Sequence, residues 1–196
     1  MPFIRPIPEH EASDVVASRY AEDRAERGYV ANMTQAFSHR PEVLEAWENL
    51  RAAVTSTMDL RRYELATLAA ARRLRSSYCM LAHANVLAAR FDEAEEVRGI
   101  AADHHSAGLD EIDVAVMDLA DKVAGDASSV TQADIDRLRE LGLSDPEIFD
   151  VAAAAAARCF LSKTLDALGF QPDAAYKALD PELREALVVG RPIAGD

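Results

Sequence analysis

Apolar residues recur along this chain at three- and four-residue spacing. The valine-, isoleucine- or threonine-rich alternation that marks half-buried strands is missing. The clearest stripe is Val43, Leu44, Trp47, Leu50 and Val54, opened by Pro41 in the first-turn position that proline favours and most simply read as core. A charged segment from Glu11 to Arg27 precedes it and is closed by Gly28. Asp59 is placed to cap Leu60 to about Arg75, and Ser76-Ser77 breaks that pattern before a second run to about Arg90. Asp92 to Ala102, Asp110 to Ala124, Thr131 to Leu141, Pro146 to Leu168 and Pro181 to Val189 complete the predicted helices. Thr131 and Asp134 have the spacing of a capping box, with Asp in the place usually held by Glu or Gln. The run Val151 to Ala157 presents small side chains on every face and is expected to be a central packing element. The fold class is therefore all-α.

Six of the eight prolines lie near the ends, so 1–10 reads as an N-terminal arm and 171–196 as a C-terminal extension of one domain over 1–196. The formal net charge of −13 repels a polyanion, and no nucleic-acid partner is expected. The first 20 residues lack a continuous apolar stretch and no run is long enough to cross a bilayer, so a cytoplasmic protein without a membrane partner is expected. Cys79 and Cys159, the two cysteines, form neither a disulfide framework nor a CxxC metal pair, in keeping with a reducing compartment.

Chemistry concentrates on one predicted hairpin. Cys79 and His83 are four residues apart on a helix, which stacks their side chains on one face. With Ser76 as N-cap, Cys79 falls in the first turn, where free amides and the helix dipole favour a thiolate and a nearby imidazole can take the proton. Glu64 shares the apolar stripe of Leu60, Leu68 and Ala71, so a hairpin turn at Ser76 would bring its carboxylate toward the other two. Each residue alone has a plainer reading: a small core cysteine, a histidine satisfied by a carbonyl, a glutamate paired with Arg61. Their joint occurrence singles them out.

The pattern of Glu64, eleven residues, then Ser76-Ser-Tyr-Cys-Met-Leu-Ala-His83 resembles the signature of the AhpD-like alkylhydroperoxidase and carboxymuconolactone decarboxylase family, in its peroxidase-related branch. The resemblance extends through Pro41 to Leu87, the Thr131 to Pro146 region and Phe160 to Asp173. It implies an AhpD-like multi-helix domain, homo-oligomers, and a hydroperoxide attacked by Cys79 while Glu64 and His83 relay protons. Ser76 stands where the peroxidase pattern has its first cysteine, so an external thiol, a protein reductant or Cys159 would have to resolve the oxidised sulfur. Tyr78 replaces a residue that is often His in the family and is a site neighbour, as is Ser76. The alternatives are decarboxylase-type acid–base chemistry on Glu64 and His83, and a catalytically silent helical oligomer.

No metal or cofactor is expected. Phosphate-loop and dinucleotide motifs are missing. His104-His105 beside Asp103 is read as a solvated loop or helix end, because adjacent residues of a helix point about 100° apart. Arg72, Arg73 and Arg75 are expected to stabilise a helix end.

Overall fold

The computed structural model describes residues 2–195. Its helices are α1 (Asp14–Arg27), α2 (Asn32–Ala36), α3 (Pro41–Thr55), α4 (Leu60–Arg73), α5 (Ser77–Arg90), α6 (Ala94–Ala102), α7 (Glu111–Asp126), α8 (Gln132–Glu140), α9 (Asp145–Ala167) and α10 (Pro181–Leu187). Short 3-10 turns cover Glu9–Glu11, Ala127–Ser129 and Ala174–Ala178. Among the described residues there is no strand, and no helix is long and apolar enough to cross a membrane.

Local chemistry accounts for the helix ends. Gly28 closes α1 with a φ of 83°, a left-handed conformation that glycine adopts without a Cβ penalty. Asp59 accepts the Arg62 amide at the start of α4, and Thr131 with Asp134 forms the capping box expected for α8. Ser144 with Glu147 does the same for α9, ahead of Pro146.

The centre is α4, buried without interruption from Tyr63 to Ala71. It packs on α5, α7 and α9, while α9 also lies against α7 and α3. Ala66, Ala70 and Ala71 on α4 and Ala155 on α9 have no exposed surface, so backbones approach closely and rigidly at this junction. The small-residue run of α9 packs inward through Val151, Ala154 and Ala155, whereas Ala156 is exposed, so it is not enclosed on every face as its composition suggested. Leu183 and Leu187 of α10 complete the core, with α10 resting on α5 and α6.

The turn from α4 into α5 is sharp. Arg75 reverses it with a φ of 56°, a left-handed conformation that costs a non-glycine residue about 1–2 kcal/mol. A strap from the C-terminal extension holds this turn: Arg75 Nε donates to Val189 O at 3.3 Å and Gly190 N donates to Ser77 Oγ at 2.8 Å. A Cβ on Gly190 would lie 2.0 Å from Arg75 O, so the close approach requires glycine. The start of α5, which carries Cys79, is thus fixed from both sides.

Candidate functional site

Three helices converge on Cys79. It is the third residue of α5, within the first turn, as the sequence suggested, although the Ser76 side chain makes no capping bond. From α4, Tyr63 and Glu64 point inward; from α9, Arg158 and Ser162 project from one face, four residues apart. Glu64 Oε2 lies 2.5 Å from His83 Nδ1, which joins two of the three expected site residues in a buried acid–imidazole pair. The Tyr63 ring meets the His83 ring edge-on, with centroids 5.9 Å apart.

The third residue has different partners from those expected. Ser162 Oγ donates to Cys79 Sγ at 3.0 Å, and Arg158 Nη1 donates to the same sulfur at 3.6 Å. The direct thiol–imidazole hydrogen bond anticipated from the four-residue spacing is not formed: His83 bonds Glu64 instead. Arg158 Nη2 also donates to Tyr63 Oη at 3.2 Å, linking both halves of the cluster through one guanidinium. Trp47 of α3 supports that guanidinium, whose carbon lies 5.5 Å from the ring centroid, and its Nε1 donates to Ala157 O.

Charge makes this arrangement unusual. Arg158 is only 4% exposed, and a guanidinium removed from water needs a counter-charge. Neither of its hydrogen-bond partners is a carboxylate; they are the Cys79 thiol and the Tyr63 phenol. Burial opposes the positive charge of Arg158, but Cys79 and Tyr63 more than offset that penalty and raise its pKa. The guanidinium therefore sits with its positive charge directly against the Cys79 sulfur and the Tyr63 hydroxyl.

His83 is shifted the other way. Burial above all, with the nearby Arg158 charge, lowers its pKa from 6.5 to about 4, against the opposing bond to Glu64. The ring is therefore neutral near pH 7, with Nδ1–H donating to Glu64 and the lone pair on Nε2. On unfolding, His83 regains the ability to bind a proton below pH 6.5, while the folded ring stays neutral down to about 4. Its contribution to stability is complete above that interval and is lost as pH falls through it, by roughly 3 kcal/mol. Urea unfolding at about pH 4.5 and about pH 7.5 should show a smaller acid-induced loss of stability in His83→Gln than in the wild type. Equal losses would contradict this protonation assignment.

The remaining expected residues are placed as follows. Tyr78 turns toward the C-terminal extension, where its hydroxyl donates to Asp173 Oδ2 at 2.6 Å and accepts from Met33 N. It is a structural tie rather than a partner of the sulfur. Ser76 is fully buried at the turn. Cys159 is half-buried and follows Arg158 directly, so its side chain diverges from the face that carries Arg158 and Ser162. Burial pushes the Cys159 thiol up, which makes it a poor nucleophile near neutrality. Arg61 binds Asp92 and Asp113, leaving Glu64 to His83.

The sulfur is enclosed within the hydrophobic core, with Cys79 1% exposed, and two polar side chains, Arg158 and Ser162, reach it there. The site comes nearest to solvent at His83, whose side chain is 10% exposed and feels the charge of exposed Arg51. A surface groove of about 800 Å³ between Pro6, Pro8, Tyr20 and Tyr29 does not touch this chemistry.

The reading of His104-His105 as a loop or helix end holds, although His104 is buried rather than solvated. His104 and His105 follow the end of α6, in a turn, so the 100° divergence of helical neighbours does not apply to them. Their rings lie 4.2 Å apart and both reach Asp118.

Sequence reasoning missed Tyr63, Trp47, Arg158 and Ser162. A signal existed for one of them: Arg158 is the lone charged residue between Val151 and Ser162.

No protein-family model matches the sequence, and no curated protein matches it. Solved structures do. An uncharacterized peroxidase-related protein from Ralstonia eutropha JMP134, solved as an alkylhydroperoxidase AhpD core, aligns with a TM-score of 0.80 at 23% identity, over 89% of this chain and 94% of its own. An uncharacterized peroxidase-related protein from Silicibacter sp. TM1040 gives 0.76 at 19% identity, over 90% and 92%. A cysteine-to-alanine variant of the debrominase Bmp8, in complex with 2,3,4-tribromopyrrole, gives 0.74 at 15% identity, over 93% and 96%. This chain has the helical fold of the AhpD core.

Proposed function

We propose that the protein is a thiol-dependent oxidoreductase that reduces hydroperoxides at Cys79. The observation that carries this reading is the buried Arg158 guanidinium 3.6 Å from a cysteine sulfur, with no carboxylate among its hydrogen-bond partners. A cation held against the sulfur stabilises negative charge that develops there as the sulfur reacts. The Cys79 thiolate attacks one peroxide oxygen and the O–O bond breaks. The sulfur becomes a sulfenic acid, and the departing oxygen leaves as an alcohol or water.

The Glu64–His83 pair carries the proton. The neutral ring, which makes no hydrogen bond to the sulfur, acts as a transient relay that delivers a proton to the departing oxygen while Glu64 holds Nδ1–H. Burial and Arg158 both disfavour a charged ring, so the proton is passed on readily. An external thiol then attacks the sulfenic sulfur, water leaves, and a second thiol equivalent releases Cys79 from the mixed disulfide. Ser76 and the turned-away Cys159 leave this resolving step to a small-molecule or protein thiol. We assign the protein to the reducing cytoplasm on the same ground, and homo-oligomers follow from the resemblance of its motif.

A second reading, thiol-dependent debromination of an aromatic, is favoured by the Bmp8 neighbour and by the single thiol of the site. Decarboxylation is less well supported, since it would leave the guanidinium–sulfur contact without a role. The test is incubation of the full chain with dithiothreitol and either cumene hydroperoxide or 2,3,4-tribromopyrrole. Hydroperoxide consumption that depends on both protein and thiol is expected. Bromide release without hydroperoxide loss would favour the second reading, and neither reaction would leave the silent oligomer.

A further inference from the structure

Away from Cys79, the turn after α6 brings two imidazoles and a carboxylate to one point. His104 Nε2 lies 2.9 Å and His105 Nε2 3.1 Å from the same oxygen, Asp118 Oδ1 on α7. One donor atom from each residue lies within 4.8 Å of the other two. We propose that His104, His105 and Asp118 bind a divalent transition-metal ion of the zinc type, with two imidazole nitrogens and one carboxylate oxygen as ligands and a fourth position open to water or a small anion.

The geometry is close to what such an ion needs. Tetrahedral bonds of about 2.0–2.1 Å set ligand atoms about 3.3 Å apart, so each imidazole nitrogen moves from the oxygen by only a few tenths of an ångström. Two nitrogens and one oxygen suit zinc, nickel or copper rather than magnesium or calcium, which favour all-oxygen shells.

The surroundings hold the donors in place and leave them available. Asp103 shapes the turn, accepting from His105 N at 3.1 Å and from Ser106 Oγ at 2.9 Å. His104 is 7% exposed, and Nε2 is its one ring nitrogen with a partner, which makes that atom the ligand. Two of the three cations that line the same groove face other carboxylates: Lys122 Nζ bonds Asp134 at 2.6 Å, and Arg73 faces Asp121 at 4.0 Å. Among the described residues, Asp118 therefore has only the two imidazoles as charge or hydrogen-bond partners. The cluster opens into a groove of about 680 Å³, which leaves the fourth position within reach of water or a small anion.

The test uses the full chain, stripped with a chelator and dialysed, then titrated with Co2+ by visible ligand-field absorption and with Zn2+ by calorimetry. One ion per chain is expected. His105→Gln, at a position exposed enough to leave the core alone, and Asp118→Asn should each weaken binding about tenfold or more, while Cys159→Ser titrates as the wild type does. Matching circular dichroism and melting of the metal-free variants separates lost ligands from lost fold. Absence of stoichiometric binding in the wild type, or wild-type affinity in both ligand variants, would overturn the proposal.

Discussion

Cys79→Ser is expected to abolish thiol-dependent hydroperoxide turnover and leave the helical fold in place. Oxygen replaces sulfur with little change of volume, and the new hydroxyl keeps hydrogen-bonding capacity toward Ser162 and Arg158. A serine hydroxyl stays protonated beside Arg158, so both the nucleophile and the counter-charge are lost. The guanidinium is then buried without an anion, and a stability loss of about 1–3 kcal/mol follows from leaving a charged group less well satisfied. Hydroperoxide consumption and urea unfolding, measured on the same preparation, check both halves. A folded Cys79→Ser protein that still turns over hydroperoxide at an appreciable fraction of the wild-type rate would remove Cys79 from the chemistry.

The second large effect is expected at Arg158. Arg158→Met keeps an unbranched apolar stem against Trp47 and deletes the charge that faces the sulfur. Turnover should fall about a hundredfold, equivalent to about 2.7 kcal/mol of lost stabilisation. Some stability should be lost as well, because Cys79 Sγ and Tyr63 Oη lose their buried donor. Arg158→Lys should recover part of the rate but not the fork that binds Cys79 and Tyr63 together. A structural role alone lowers stability but leaves the rate of the folded fraction unchanged.

Much of this was legible in the chain because the signals are local. The αL glycine after α1, the Thr131–Asp134 box and the placement of Cys79 in the first turn of α5 all follow from spacings of a few residues. The Glu64–His83 contact was legible one step further out, from a hairpin that superposes two helical faces. Arg158 was not, because 79 residues separate it from Cys79 and no local period encodes that approach. Helix α2, only 5 residues long, is too short to show a stripe. The pair His104-His105 lies in the turn after α6, as its reading as a loop or helix end expected, but the burial of His104 against Asp118 of α7 has no local signal.

The most direct test of a thiolate held by a buried arginine is to see where the first oxygen lands. The full chain is exposed briefly to cumene hydroperoxide in the presence of dimedone, which traps sulfenic acids, and its cysteine peptides are weighed. The expected result is one dimedone adduct on Cys79, little on Cys159, and slow labelling of Cys79 in Arg158→Met. Labelling confined to Cys159, or equally fast labelling of Cys79 in that variant, would contradict it.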